Sequence, residues 1–281
     1  MRICLIVVFG LLNFSLFGQR KHAIEMMYSN SATALNRVLE ERELFHADVR
    51  ESTEIVSDSL LSIYNSEVET KLKSQYFGVG FNSLIPFTRK LPTCFLYGVG
   101  GGLHHSSLLH GSGTGNTGFL SYEASEPGWF AFVTLSFTYS LTETWFIEAS
   151  GGSWFMTGVA NKVTDANFGF DHPSFVEKHN NEFSIFNIYA TLQGGYRYEK
   201  WQGWLGPAYH YSNIVYDINR VVTDLDWDEN TEEIIKYGYR NLLPLTLHAG
   251  CSYALFENWE LTAIIDYNTY CTVKTMLSFN F

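Results

Sequence analysis

Charge is scarce in this chain of 281 residues. Asp, Glu, Lys and Arg make up 17% of it, against about 25% in a typical soluble domain. Basic residues are the scarcer kind, 18 Lys and Arg facing 29 Asp and Glu for a net charge of −11. An acidic chain repels phosphate backbones, which argues against a nucleic-acid partner. Cysteine is sparse too, with four residues in all. Cys4 lies in the N-terminal apolar run, while Cys94, Cys251 and Cys271 lie in strand-like stretches. None has CxxC or Cys/His spacing, so no disulfide framework or zinc site is expected. Past the N-terminus no run of 18 apolar residues occurs, which excludes a transmembrane helix there. What is abundant is aromatic surface: 22 Phe, 17 Tyr and 7 Trp. With 46% apolar residues, that excludes disorder, collagen-like repeats and a coiled coil.

The first residues read Met1-Arg2, an apolar run from Ile3 to Phe17, then Gly18-Gln19. A short basic start, an apolar stretch and a small residue predict a secretory signal peptide over 1–18, cleaved after Gly18. The run is too short to span a bilayer, and Asn13 and Ser15 interrupt it. Residues 19–75 predict a mostly helical N-terminal segment. From Ser31 to Ser74 there is no Gly or Pro, and Leu35, Val38, Leu39, Val49, Val56, Leu60, Ile63, Val68 and Leu72 recur at steps of three, four and seven. Its many acids read as a solvated face.

From Tyr76 the period changes to two. Trp129, Ala131, Val133, Leu135, Phe137, Tyr139 and Leu141 alternate with Thr134, Ser136, Thr138 and Ser140. The same alternation runs through 243–255, 259–268 and 273–281, and more weakly through 76–87, 94–106, 145–160, 183–198 and 202–218. The apolar phase of these runs holds no charged residue, whereas the opposite phase holds Glu148, Arg197, Glu199, Glu260, Asp266 and Lys274. A charge facing lipid at mid-membrane costs about 2–4 kcal/mol, and one facing a wet lumen far less. Short connections (88–93, 142–144, 199–201, 256–258) alternate with long polar ones (107–128, 161–182, 219–241). Trp129, Tyr139, Trp145, Trp201, Trp259 and Tyr267 sit at strand ends, as interfacial girdles require.

The signal peptide, the alternation, the rhythm of turns and the ending Met276-Leu277-Ser278-Phe279-Asn280-Phe281 resemble the small bacterial outer-membrane β-barrel proteins. That resemblance implies an all-β, antiparallel up-and-down transmembrane barrel over 76–281, in the outer membrane of a Gram-negative bacterium. It further implies outer-membrane lipids and the barrel-assembly machinery as partners, with Phe279 and Phe281 as the assembly signal. An even strand count calls for one ascending strand before Tyr76, and His22–Tyr28 is the candidate. Ten strands are preferred, with eight as the alternative; the helical segment 31–74 becomes the first extracellular loop. A secreted β-sandwich also alternates, but explains neither the girdles nor the terminal Phe.

Several groups suggest chemistry. Glu148, Arg197, Glu260, Asp266, Lys274 and His248 form a lumen cluster, read first as a paired polar core. The second reading is a thin solute path or a carboxylate relay around Glu260 and Asp266. His210-Tyr211-Ser212-Asn213 is similar to the His-x-Ser-Asn element of the lipid A 3-O-deacylases, which implies His210 as base, Ser212 as nucleophile and Asn213 as oxyanion donor. Two to three strands follow this element, where that family has one, and the phasing turns His210 and Ser212 inward. Asp224, Asp226 and Asp228 have partial calcium-loop spacing, but Glu229 stands where Gly belongs. His104, His105 and His110 read as loop polarity before metal ligands, and Gly98, Gly100, Gly101 and Gly102 as close strand packing. No cofactor is called for. The preferred function is non-enzymatic: a structural barrel, or one binding an extracellular ligand through loop aromatics Phe168, Phe170, Phe175, Trp227 and Tyr237. A narrow channel for small solutes and a hydrolase using His210 and Ser212 are the alternatives.

Overall fold

The computed structural model describes residues 21–46, 49–56, 71–86, 94–111, 119–123, 127–159, 162–167, 175–224, 229–241, 243–267 and 271–281. Every regular element among them is a strand. Ten form a ring in chain order: β1 (Lys21–His46), β3 (Lys71–Pro86), β4 (Cys94–Gly111), β6 (Gly128–Ser140), β7 (Trp145–Val159), β9 (Phe175–Tyr198), β10 (Trp201–Asp224), β12 (Leu245–Phe256), β13 (Trp259–Tyr267) and β14 (Cys271–Asn280). Each pairs antiparallel with its neighbours, and β1 pairs with both β3 and β14, so the sheet closes with no free edge along the barrel. The ascending strand expected at His22–Tyr28 is β1, and the ten-stranded count holds.

The registers give the barrel its dimensions. From Trp201, the partners run through Tyr253, Leu261, Leu277, Met26, Val79, Gly101, Ala131, Phe155 and Phe186, and return to β10 at Asn213, twelve residues further along. That stagger over ten strands means a tilt of about 40° and a backbone diameter of about 20 Å. Side chains from opposite walls can therefore meet.

Alternation sorts the side chains. Leu135, Phe137, Leu192, Leu205, Leu247 and Leu261 are among the large apolar residues left exposed on the outside. The expected girdle residues bracket them. Tyr139, Trp145, Trp201 and Trp259 lie beside the short turns 141–144, 199–200 and 257–258, and Trp129 and Tyr267 lie at the far rim. Tyr139 and Trp129 are ten residues apart on β6, which projects to about 25 Å at this tilt, the height of a transmembrane barrel's apolar band. In the turn between β9 and β10, Glu199 has φ 51°, a left-handed conformation that two-residue hairpins demand.

The seam between β1 and β14 is closed by reciprocal backbone bonds. His22 N donates to Phe281 O at 3.1 Å and Phe281 N to His22 O at 2.8 Å. Phe279 packs on Trp259 with centroids 5.0 Å apart, and Phe281 on the His22 ring at 5.8 Å.

The expected helix is not present in the described part of 31–74. Residues 31–46 continue β1, Val49–Val56 form β2, and Lys71 onward is β3; residues 57–70 lie outside the described residues. The reason is tertiary. β1 is already laddered inside the barrel, and beyond it β11 (Glu229–Asn241) and β2 offer partners on both sides. A continuous ladder outweighs helix propensity, which is a weak preference. The long connections also hold strands, with β5 (Phe119–Glu123) and β8 (Lys162–Asn167) paired to each other and β11 paired to β10. The sheet thus projects past the rim. From His210 to the end of β10 it rises roughly 35 Å at the same tilt.

Candidate functional site: the barrel lumen

The inward faces enclose a cavity of about 570 Å³. All six residues of the expected lumen cluster line it, together with Glu25, His22, His210 and Ser212. Four carboxylates (Glu25, Glu148, Glu260, Asp266) therefore share the lumen with two basic side chains, Arg197 and Lys274.

The expectation that these charges pair with one another is not met by Arg197 or Lys274. Near the turn end, Glu148 accepts hydrogen bonds from Thr138 Oγ1 at 2.8 Å and Gln193 Nε2 at 2.9 Å. Arg197 donates to Gln202 Oε1 at 3.1 Å and Ser140 Oγ at 3.0 Å, with its guanidinium 4.2 Å from the centroid of Phe146. Lys274 is placed more unusually. Its strand, β14, is five strands from β7 in either direction round the ring, so Trp154 stands on the opposite wall. Lys274 Nζ nevertheless lies 5.3 Å from the Trp154 ring centroid. Lysine and indole form a bar across the lumen. Neither Arg197 nor Lys274 has an ion pair with a carboxylate among the described residues. Ser, Thr and Gln side chains and aromatic faces make the direct contacts instead, and Glu148 acts on Arg197, and Glu25 and Asp266 on Lys274, through space.

Asp266 does have close side-chain partners, both of them imidazoles. His248 Nδ1 is 2.7 Å from Asp266 Oδ1, and Trp204 Nε1 donates to His248 Nε2 at 3.3 Å. An indole N–H can only donate, so His248 Nε2 is the acceptor and its proton sits on Nδ1, directed at the carboxylate. Trp204 reaches this position by lying across Gly250, where any Cβ would collide with the indole. His210 approaches from the other side, its Nε2 3.6 Å from the same oxygen. That is beyond hydrogen-bonding length, and this buried nitrogen has no hydrogen-bond partner. The His210 ring is held by stacking on Tyr189, centroids 6.2 Å apart and planes 22° apart.

Facing this polar arc is an aromatic one. Trp154 stacks on Phe132 at 5.4 Å and Phe130 at 5.8 Å, and meets Tyr76 edge-on at 5.1 Å. Gly100 makes room for Phe132, since a Cβ there would sit 2.5 Å from its ring. Towards the outer end, Phe183, Ile185, Ile214, Tyr216 and Tyr239 are buried in an apolar cluster, of which Ile185 and Ile214 also line the cavity.

The three residues of the deacylase-like element do not converge. His210 and Ser212 line the lumen, and Asn213, the next residue along, belongs to the outward phase. Ser212 acts through its backbone: its N–H donates to Asn241 Oδ1 at 2.9 Å, while Asn241 Nδ2 donates to His210 O at 2.7 Å. No hydrogen bond joins His210 to Ser212 Oγ. Asp224 ends β10, while Asp226 and Asp228 lie outside the described residues, as do Phe168, Phe170 and Trp227. Phe175 opens β9. Tyr237 is buried rather than offered to a partner. His104 is a buried structural residue, its Nε2 donating to Thr157 O and its Nδ1 meeting Ser106 Oγ, both at 2.9 Å. Among the described residues no group of three or more His, Cys, Asp or Glu could hold a metal ion. Asn241 and the Lys274–Trp154 bar escaped the sequence reading; nothing in strand periodicity tells which residues face each other across a lumen.

No family model and no curated protein matches the chain. Solved structures similar to it are other barrels. The translocator domain of the autotransporter NalP from Neisseria meningitidis shares 9% identity at a TM-score of 0.42, covering 97% of this chain and 92% of that one. The transport unit of the autotransporter AIDA-I from Escherichia coli shares 10% identity at 0.38, covering 94% and 90%. An outer-membrane channel from Pseudomonas putida F1 shares 9% identity at 0.38, covering 94% and 97%. Likeness at this level says nothing of what a barrel carries or binds.

Proposed function

We propose that this chain is an integral outer-membrane protein whose lumen is a narrow channel for small solutes. The carrying observation is that Arg197 and Lys274, lining a cavity of about 570 Å³, are in direct contact with neutral groups and rings and not with a carboxylate. A barrel built only for stability gains little from interior charges that lack a direct ion pair, because their burial is costly. Groups that conduct or select must stay available. The bar across the lumen and the apolar cluster above it limit the path to small solutes with low conductance. The test is planar-bilayer recording of the folded chain. Small discrete steps are expected, with Lys274→Met moving the reversal potential toward cation selectivity and Glu148→Gln moving it the other way. Sealed bilayers across several preparations would end the channel reading.

A second reading draws on the length of β9 and β10, which are 24 residues each, about twice what a span needs. The projecting sheet is suited to surface contact with an extracellular ligand. Replacing residues 217–237 by a short turn should then remove binding to the target surface while the barrel stays folded. Retained binding would refute this role. Insertion by the assembly machinery through Phe279 and Phe281 belongs to the same proposal, and deleting Phe281 should slow membrane insertion.

A further inference from the structure

We propose that the middle of the lumen is a binding site for a small organic carboxylate with a flat apolar body, its charged end held by Lys274 and His210. This rests on the lumen being open to solutes, as the channel reading requires. Two basic side chains there have no hydrogen bond to a carboxylate. Lys274 crosses to the opposite wall and ends on the Trp154 face, 5.3 Å from its centroid, while Glu25 and Asp266 act on it only through space and not by direct contact. His210 presents a buried Nε2 that faces Asp266 Oδ1 at 3.6 Å, too far for a hydrogen bond. Both belong to the arc around Asp266, whose Oδ1 is taken up by His248 Nδ1–H at 2.7 Å.

The opposite arc supplies the apolar surface. Trp154 is fixed by stacking on Phe132 at 5.4 Å, and Tyr76 and Met276 line the cavity beside it. The cavity, about 570 Å³, lies within the usual range of about 300–1,000 Å³ for small-molecule sites.

Charge selects the class. An organic ammonium would need the aromatic face that the lysine already covers, and would be repelled by it. A carboxylate gives the ammonium a counter-charge, and a charge-assisted hydrogen bond is stronger than the cation–π contact it replaces. When Lys274 turns to the carboxylate, the Trp154 face is freed for the ligand's ring. The bar is thus the recognition element for the occupant of the lumen.

The experiment uses the full chain folded in detergent micelles, with calorimetric titration of benzoate, benzyl alcohol and benzylammonium. Benzoate should bind at least about tenfold more tightly than either analogue. Lys274→Met should weaken benzoate by about tenfold or more, and Lys274→Arg should keep it within about threefold. His210→Phe and Trp154→Leu should each weaken it severalfold. Heat-dependent gel mobility checks that each variant is folded. Equal binding of benzoate and benzylammonium, no benzoate binding at millimolar concentration, or unchanged binding by folded Lys274→Met overturns the proposal. Bilayer recording separates the two readings: sealed bilayers with Lys274-dependent benzoate binding refute the channel and keep the site, and conduction without benzoate binding does the reverse.

Discussion

Leu135→Arg tests whether the outer band faces lipid. Leu135 is 53% exposed, and on β6 it stands four residues from Tyr139 and six from Trp129. At about 3.3 Å per residue and 40° tilt it lies about 10 Å from one girdle and 15 Å from the other, close to the midplane. Arginine there should cost about 2–4 kcal/mol, against about 0–1 kcal/mol for Trp129→Arg at the rim. Ser136→Arg, one residue along, turns the same charge into the lumen, where water and hydroxyls receive it, and should cost less than Leu135→Arg. The measurement is guanidinium unfolding in lipid vesicles, with stability differences taken from the midpoints at constant slope. The depth dependence matters more than any single value. If Leu135→Arg stays within about 0.5 kcal/mol of the parent, or Trp129→Arg costs as much, the band does not sit in hydrocarbon.

Three further outcomes can be checked in the same unfolding assay. Asp266→Ala leaves the His248 Nδ1–H without its acceptor and should cost about 1–3 kcal/mol, while Asp266→Asn, which keeps an accepting oxygen, should cost less. Phe132→Ala opens a hole between Trp154 and Gly100 and should destabilise by about 3–5 kcal/mol. Glu199→Gly removes a side chain from a left-handed turn position and should stabilise by about 1 kcal/mol.

The barrel was legible because lipid imposes a period of two that nothing else in the chain obscures. Every second residue from Trp129 to Leu141 is apolar, and the terminal Phe279 and Phe281 share the outward phase. Parity supplied the strand at His22–Tyr28, whose own alternation is weak. The segment after it misled, since Leu35, Val38 and Leu39 satisfy helical spacing while the backbone is committed to a ladder with β11. Inward-facing residues could be named, but not matched. Lys274 and Trp154 are 120 positions apart and on opposite walls, so their meeting depends on diameter and stagger, quantities no local pattern carries. The fate of His210 had the same origin: its acid is Asp266, two strands away, and not the neighbouring Ser212.

Because His22 and Phe281 are bonded to each other through both peptide groups, the first strand of the ring begins where the last one stops. A linker of a few residues could join them, and the molecule could be reopened at a connection on the opposite rim without altering any wall. Such a circularly permuted chain should insert as the same cylinder, with its new ends on the other side of the membrane.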